Sequence, residues 1–352
     1  MIPAADRLAT TLARHDARRA KRGLPAPIVL VEAPGLRLEH GELDRRFHPA
    51  SVDKVVIAAM IARLADEGRL ALHDPLGRRL PGGWLDLPAA PGIDPARDIT
   101  VEHLLTHTSG LPEAFEATLL TGDLARRWTR DELLDLARAK RPLGRPGERF
   151  GYTDTAYWIL QRIIEEATGL GYREAIRRLV LDPAEMAHTA MPFDDEFDPA
   201  ELAELELAPM VVDGVDVSRA ASLSAGWGSI VTTAGDLVRF QRALHGGLLA
   251  SSATIVRLAR PRHRMRPGIR YGAGLATIRF GEMLPILLSG LPSPVGGLGL
   301  TAVHAFWYPE QRAHVVLEFH ADAEMGQSFQ AHIAIARELR RLGAGRGPAA
   351  RA

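Results

Sequence analysis

The chain has 352 residues, 43 basic against 43 acidic side chains, and no cysteine. Zero net charge argues against a nucleic-acid or anionic-membrane partner. Without thiols there are no disulfides, thiolate metal sites or cysteine nucleophiles, and the length leaves room for two domains or for one with a large insertion.

In chain order, residues 4–22 read as an amphipathic helix with Leu8, Leu12 and Ala13 on its inner side. Ile28-Val29-Leu30-Val31 is a short apolar run fit for a strand, Pro34-Gly35 a turn, and residues 36–39 the returning strand. Residues 51–67 form a helix stopped by Gly68, and the Pro/Gly-rich stretch 81–97 is a surface loop. Residues 98–106 read as a short capped helix, and 130–140, 153–168 and 172–181 as helices, the second ending at Gly169. From residue 222 glycines thicken, and strands are expected at 271–280, 301–308 and 313–319. The arginine-rich run 260–270 reads as a solvated loop. A last helix covers 328–342, and 343–352 is expected to be a disordered tail.

This order predicts an α+β fold. Residues 1–50 and 222–342 would share one antiparallel sheet flanked by N- and C-terminal helices, with 51–221 inserted as a mostly helical domain. No run approaches the ~18 apolar residues of a membrane span, and no leader-like segment opens the chain, so a cytoplasmic protein with no membrane partner is expected.

The chemistry concentrates at Ser51-Val52-Asp53-Lys54. Residues three apart share a helix face, so the Ser51 hydroxyl and Lys54 amine can meet. A neutral lysine can take the serine proton and make a nucleophile. Lys54 is one of only three lysines, with Lys21 and Lys140, and arginine could not release a proton in its place. The alternative is that Ser51 is a helix N-cap. Arg149-Phe150-Gly151-Tyr152-Thr153-Asp154-Thr155 is the second constellation: Asp154 or Thr153 could cap the next helix, or Tyr152 could move protons beside a cation. His103 and His107 are four apart but lack the intervening glutamate of a zinc hydrolase, so no metal or cofactor is expected.

These segments, with 67–75, 99–112, 146–155 and 229–237 in the same order, resemble the serine β-lactamase and penicillin-binding-protein-like family, its class C and esterase branch. The resemblance implies Ser51 as acylated nucleophile, Lys54 and Tyr152 sharing proton transfer, and the Ser51 and Leu300 N–H groups as an oxyanion hole. It places Asp154 near Lys54, where a carboxylate would favour a charged lysine and shift the base role toward Tyr152. Its third motif, a basic residue two before a glycine, falls at Gly297-Leu298-Gly299, where the substrate-binding cation is missing. The expectation is therefore a serine hydrolase cleaving a small acyl ester, or an amide; the missing cation counts against β-lactam and carboxypeptidase activity. A D-amino-acid peptidase or an acyltransferase uses the same site with another substrate or acceptor, and a non-catalytic ligand-binding protein is the reading from outside enzymology.

Overall fold

A computed structural model describes residues 3–193, 199–224 and 230–344. Eight antiparallel strands form its main sheet. Their spatial order is Leu36–His40, Ile28–Ala33, Ala313–Glu318, His304–Tyr308, Val295–Leu298, Ala276–Ile278, Ile269–Tyr271 and His263–Arg266. The N-terminal hairpin thus joins the C-terminal strands, with Leu30 opposite Val316 and Val31 opposite Val315.

The apolar run 28–31 is buried on both faces, which is why it does not alternate with polar residues. Val29 and Val31 pack under the terminal helices with Leu8, Leu12, Ile335 and Leu339. Ile28 and Leu30 pack on the other face with Phe47, Val52, Leu237 and Val238. The larger helical core gathers Asp53–Asp66 and Thr155–Thr168, joined by Leu104, Leu105 and Ile176.

The first helix runs Ala4–Ala20, but Ala13 is exposed. His15 and Arg19 take the inner positions, and Arg19 is buried against Glu324. The run 260–270 is an edge hairpin and not a loop. Its strands His263–Arg266 and Ile269–Tyr271 pair with a register shift, and alternating arginines keep the edge charged. The expected strand 271–280 splits at the left-handed Gly274 (φ +83°) and ends in a helical turn at Phe280–Met283. Helices Ala234–His245 and Ser252–Ala259 occupy a stretch where the amino-acid pattern predicted no helix. Gly169 closes its helix in the left-handed conformation at φ +72°, as glycine can without a Cβ penalty. Ser229 and the tail from 345 lie outside the described residues.

Candidate active site

Ser51 sits in a single 3-10 turn, Ala50–Val52, that leads into the helix Asp53–Asp66. Ala50 before it is held at φ +48°, a left-handed conformation costing an alanine about 1 kcal/mol. The capping alternative fails here: Val52 holds the cap position, and no side chain caps the helix. The Ser51 hydroxyl instead accepts from Lys54 Nζ at 3.4 Å.

Asp154, 100 positions beyond Lys54, belongs to a segment that is tied down by the chain around His107. Thr100 and His103 form a reciprocal capping box that starts the helix Val101–Leu105. The chain then turns at His107, which has φ +54° and is fully buried. His107 Nδ1 accepts the Thr153 N–H at 3.2 Å and its carbonyl accepts the Gly151 N–H at 2.8 Å. Its ring packs on Tyr152 with centroids 4.2 Å apart. His103 thus caps its own helix while His107 holds the tyrosine segment, and no group of three metal-binding side chains occurs among the described residues.

Asp154 stands at the cap position of Thr155–Thr168 but caps nothing. Its carboxylate forms an ion pair with Lys54. Burial penalises the Lys54 ammonium, but the pairing and hydrogen bond with the Asp154 carboxylate lead the interactions that outweigh it and hold the lysine above its ordinary range. The ammonium also lies 5.3 Å from the ring centres of both Tyr152 and Tyr157. Burial pushes the Tyr152 phenol up; Lys54 pulls it back, and Ser51 and Lys54 are both hydrogen-bonding neighbours. In the resting site both Lys54 and Tyr152 keep their protons.

These groups line a cavity of about 260 Å³ with Leu298, Leu300 and Met265. One wall is Gly297, whose Cα faces the nucleophile helix: a Cβ there would come within 2.8 Å of Val55 Cγ2 and 3.2 Å of Val52 Cα. A Cβ at Gly299 would approach the Pro49 carbonyl at 2.5 Å. Glycine lets this strand lie against the nucleophile turn, so position 297 has no room to project a cation into the cavity. Neither the Ser51 nor the Leu300 N–H meets an acceptor among the described residues.

Glu113 is the cavity residue that sequence reasoning missed. Its Oε2 accepts the Asp154 N–H and its Oε1 the Phe115 N–H, each at 2.8 Å. The available signal was a lone acid inside the apolar stretch Leu111-Pro112-Glu113-Ala114-Phe115.

An antiparallel sheet clasped by terminal helices, with a serine and lysine one helical turn apart beneath a helical region, defines the β-lactamase and transpeptidase-like fold. The chain belongs to the Beta-lactamase family, whose model matches residues 39–339. Penicillin-binding protein 4 of Amycolatopsis lactamdurans is 30% identical over 65% of this chain and 61% of its own length. Other curated relatives are matched over about half their length. A D-stereospecific amidohydrolase from Streptomyces aligns with a TM-score of 0.72 at 23% identity, covering 92% of this chain and 97% of that one. EstCE1, described as a hydrolase with promiscuous acyltransferase activity, aligns at 0.74 and 18% identity, over 96% and 99%.

Proposed function

We propose that this chain is a serine hydrolase that cleaves a small ester or amide through an acyl-Ser51 intermediate. The observation that carries the reading is the meeting of Ser51, Lys54 and Tyr152 in one cavity. The hydrolase and amidohydrolase descriptions of the two structural neighbours agree with it.

Ser51 Oγ attacks the substrate carbonyl carbon, and the carbonyl oxygen takes the negative charge opposite the Ser51 and Leu300 N–H groups. Lys54 begins charged and Tyr152 begins protonated, so neither is a ready base. Tyr152 instead acts as a relay: its oxygen receives the Ser51 proton as its own proton passes to the departing oxygen or nitrogen. Lys54 stabilises the phenolate character that develops during that exchange. Water, or an amine acceptor, then attacks the acyl-serine by the reverse relay, which frees Ser51. Esters need less leaving-group protonation than amides and are the preferred substrates.

A fluorophosphonate probe tests the reading. Wild type should be labelled on Ser51, located by peptide mass spectrometry, and Ser51→Ala should not be. A wild type unlabelled from pH 6 to 9 overturns the hydrolase reading.

A further inference from the structure

We propose that the cavity takes a substrate carrying a primary ammonium group close to the scissile carbonyl, and that Glu113 recognises that group. The proposal deepens the acyl-Ser51 reading and rests on it.

Charge around the cavity is unevenly matched. Asp53, Glu113 and Asp154 all line it, whereas Lys54 is the only buried cation on its wall among the described residues. Lys54 is already committed to Asp154. Arg266 reaches the cavity from the exposed edge hairpin, at the solvent side. Neither Asp53 nor Glu113 forms a salt bridge among the described residues. Asp53 is buried, and its Oδ1 has no hydrogen-bond partner. A carboxylate left this way in a low-dielectric site gains from an incoming cation.

Glu113 is placed to receive it. Each of its oxygens accepts one backbone N–H, which fixes the group beside Asp154 and leaves lone pairs on both oxygens. Burial, then the Asp154 charge, push its carboxyl up from the ordinary range, the response of an acid short of positive charge. Because position 297 cannot project a cation, a substrate carboxylate beside Glu113 would be offset only by Lys54, already paired with Asp154, and by the solvent-side Arg266. The same cavity thus disfavours an anionic handle and favours an ammonium, whose three N–H donors suit a partly occupied carboxylate. A metal ion is a poorer fit, since no three ligating groups converge among the described residues.

The test compares matched substrates. On the acyl side these are phenylalanine p-nitroanilide, as each enantiomer, and 3-phenylpropionic p-nitroanilide. On the leaving side they are the 2-aminoethyl and propyl esters of 3-phenylpropionic acid. In wild type, kcat/KM for one ammonium-bearing member should exceed its neutral counterpart by about 10- to 100-fold, in line with a partly buried charge pair. Glu113→Gln should cut that ratio at least tenfold. The pair that shows the preference tells which side of the bond carries the ammonium. A wild-type ratio near one in both pairs, or a ratio unchanged in Glu113→Gln, overturns the proposal. Should Glu113→Gln not fold, the wild-type ratios decide, joined by inhibition with benzylamine against benzyl alcohol; equal inhibition overturns it. Fluorophosphonate labelling separates the two failures. Labelled enzyme with ratios near one loses only the ammonium site, whereas unlabelled enzyme loses the acyl-Ser51 reading itself.

Discussion

Lys54 and Asp154 form an ion pair directly beside the Ser51 hydroxyl. The pair joins the first turn of one helix to the cap position of another, and it keeps the lysine charged in a buried site. The helix at 155 forgoes a side-chain cap, worth about 1 kcal/mol, to supply that carboxylate.

Breaking the pair should expose its cost. Losing one partner of a buried pair costs about 3–5 kcal/mol, but Lys54 can recover part by releasing its proton, which burial favours once Asp154 is gone. Asp154→Asn should therefore lose about 2–4 kcal/mol at pH 7. In the variant the folded lysine pKa falls below its unfolded value, so the unfolded chain binds more protons and stability rises with pH. Urea titrations at pH 7 and 9.5 check this, and a deficit that grows with pH would count against it.

Lys54→Arg keeps the positive charge opposite Asp154, but its planar guanidinium cannot fit the compact space the ammonium fills between Asp154, Ser51 and the tyrosine rings. We expect kcat/KM to fall by at least about 100-fold, the scale of a group displaced by about 1 Å beside the reacting atoms, with a cooperative thermal transition retained. Activity within fivefold of wild type would remove Lys54 from the mechanism.

Tyr152→Phe deletes the relay oxygen and leaves the ring stacked on His107. The fall should be about 10² to 10⁴ in kcat, with KM nearly unchanged, because the hydroxyl is required only while protons move. Stopped-flow kinetics with a chromogenic ester measure it. A loss confined to KM would instead make Tyr152 a binding residue.

Gly297→Ala should destabilise the fold by about 1–3 kcal/mol, the usual penalty of overpacking, because the new methyl meets Val55 and the Val52 backbone. A chemical denaturation midpoint equal to wild type would show that the strand can withdraw from the nucleophile turn.

A buried histidine pair should make the fold acid-sensitive. His304 Nδ1 and His332 Nδ1 lie 2.9 Å apart, with Ser328 at 2.8 Å from His304 and Tyr308 at 2.9 Å from His332. Burial drives His332 down to about 3 and His304 well below its usual range. The unfolded histidines take up protons near pH 6.5 and the folded ones do not, so their contribution is complete above that pH and is lost as pH falls toward 3. At pH 4 the loss is about 3 kcal/mol for His332 alone. Calorimetry from pH 7 to 4 should show a steep fall in Tm, and His332→Gln should flatten it. A level wild-type Tm would contradict the assignment.

The amino-acid order by itself determined the features that depend on short spacing or continuous patterning. Ser51 and Lys54 meet because residues three apart share a helix face, and the apolar run at 28–31 marks a strand. The capped turn at Thr100 and the glycine stop at 169 were equally local. Tertiary structure alone decided what each group faces. Ala13 is turned outward while Arg19 is buried, because a matching carboxylate waits on Glu324. The arginine run became a strand pair because an open sheet edge accepted its backbone hydrogen bonds. Asp154 binds Lys54 instead of capping its helix, Glu113 reaches the cavity through the Asp154 N–H, and Gly297 is a wall with no room for a side chain. Each of these contacts joins residues far apart in the chain. Packing and the cost of leaving charge unpaired select such contacts, and neither is written in the spacing of any one segment.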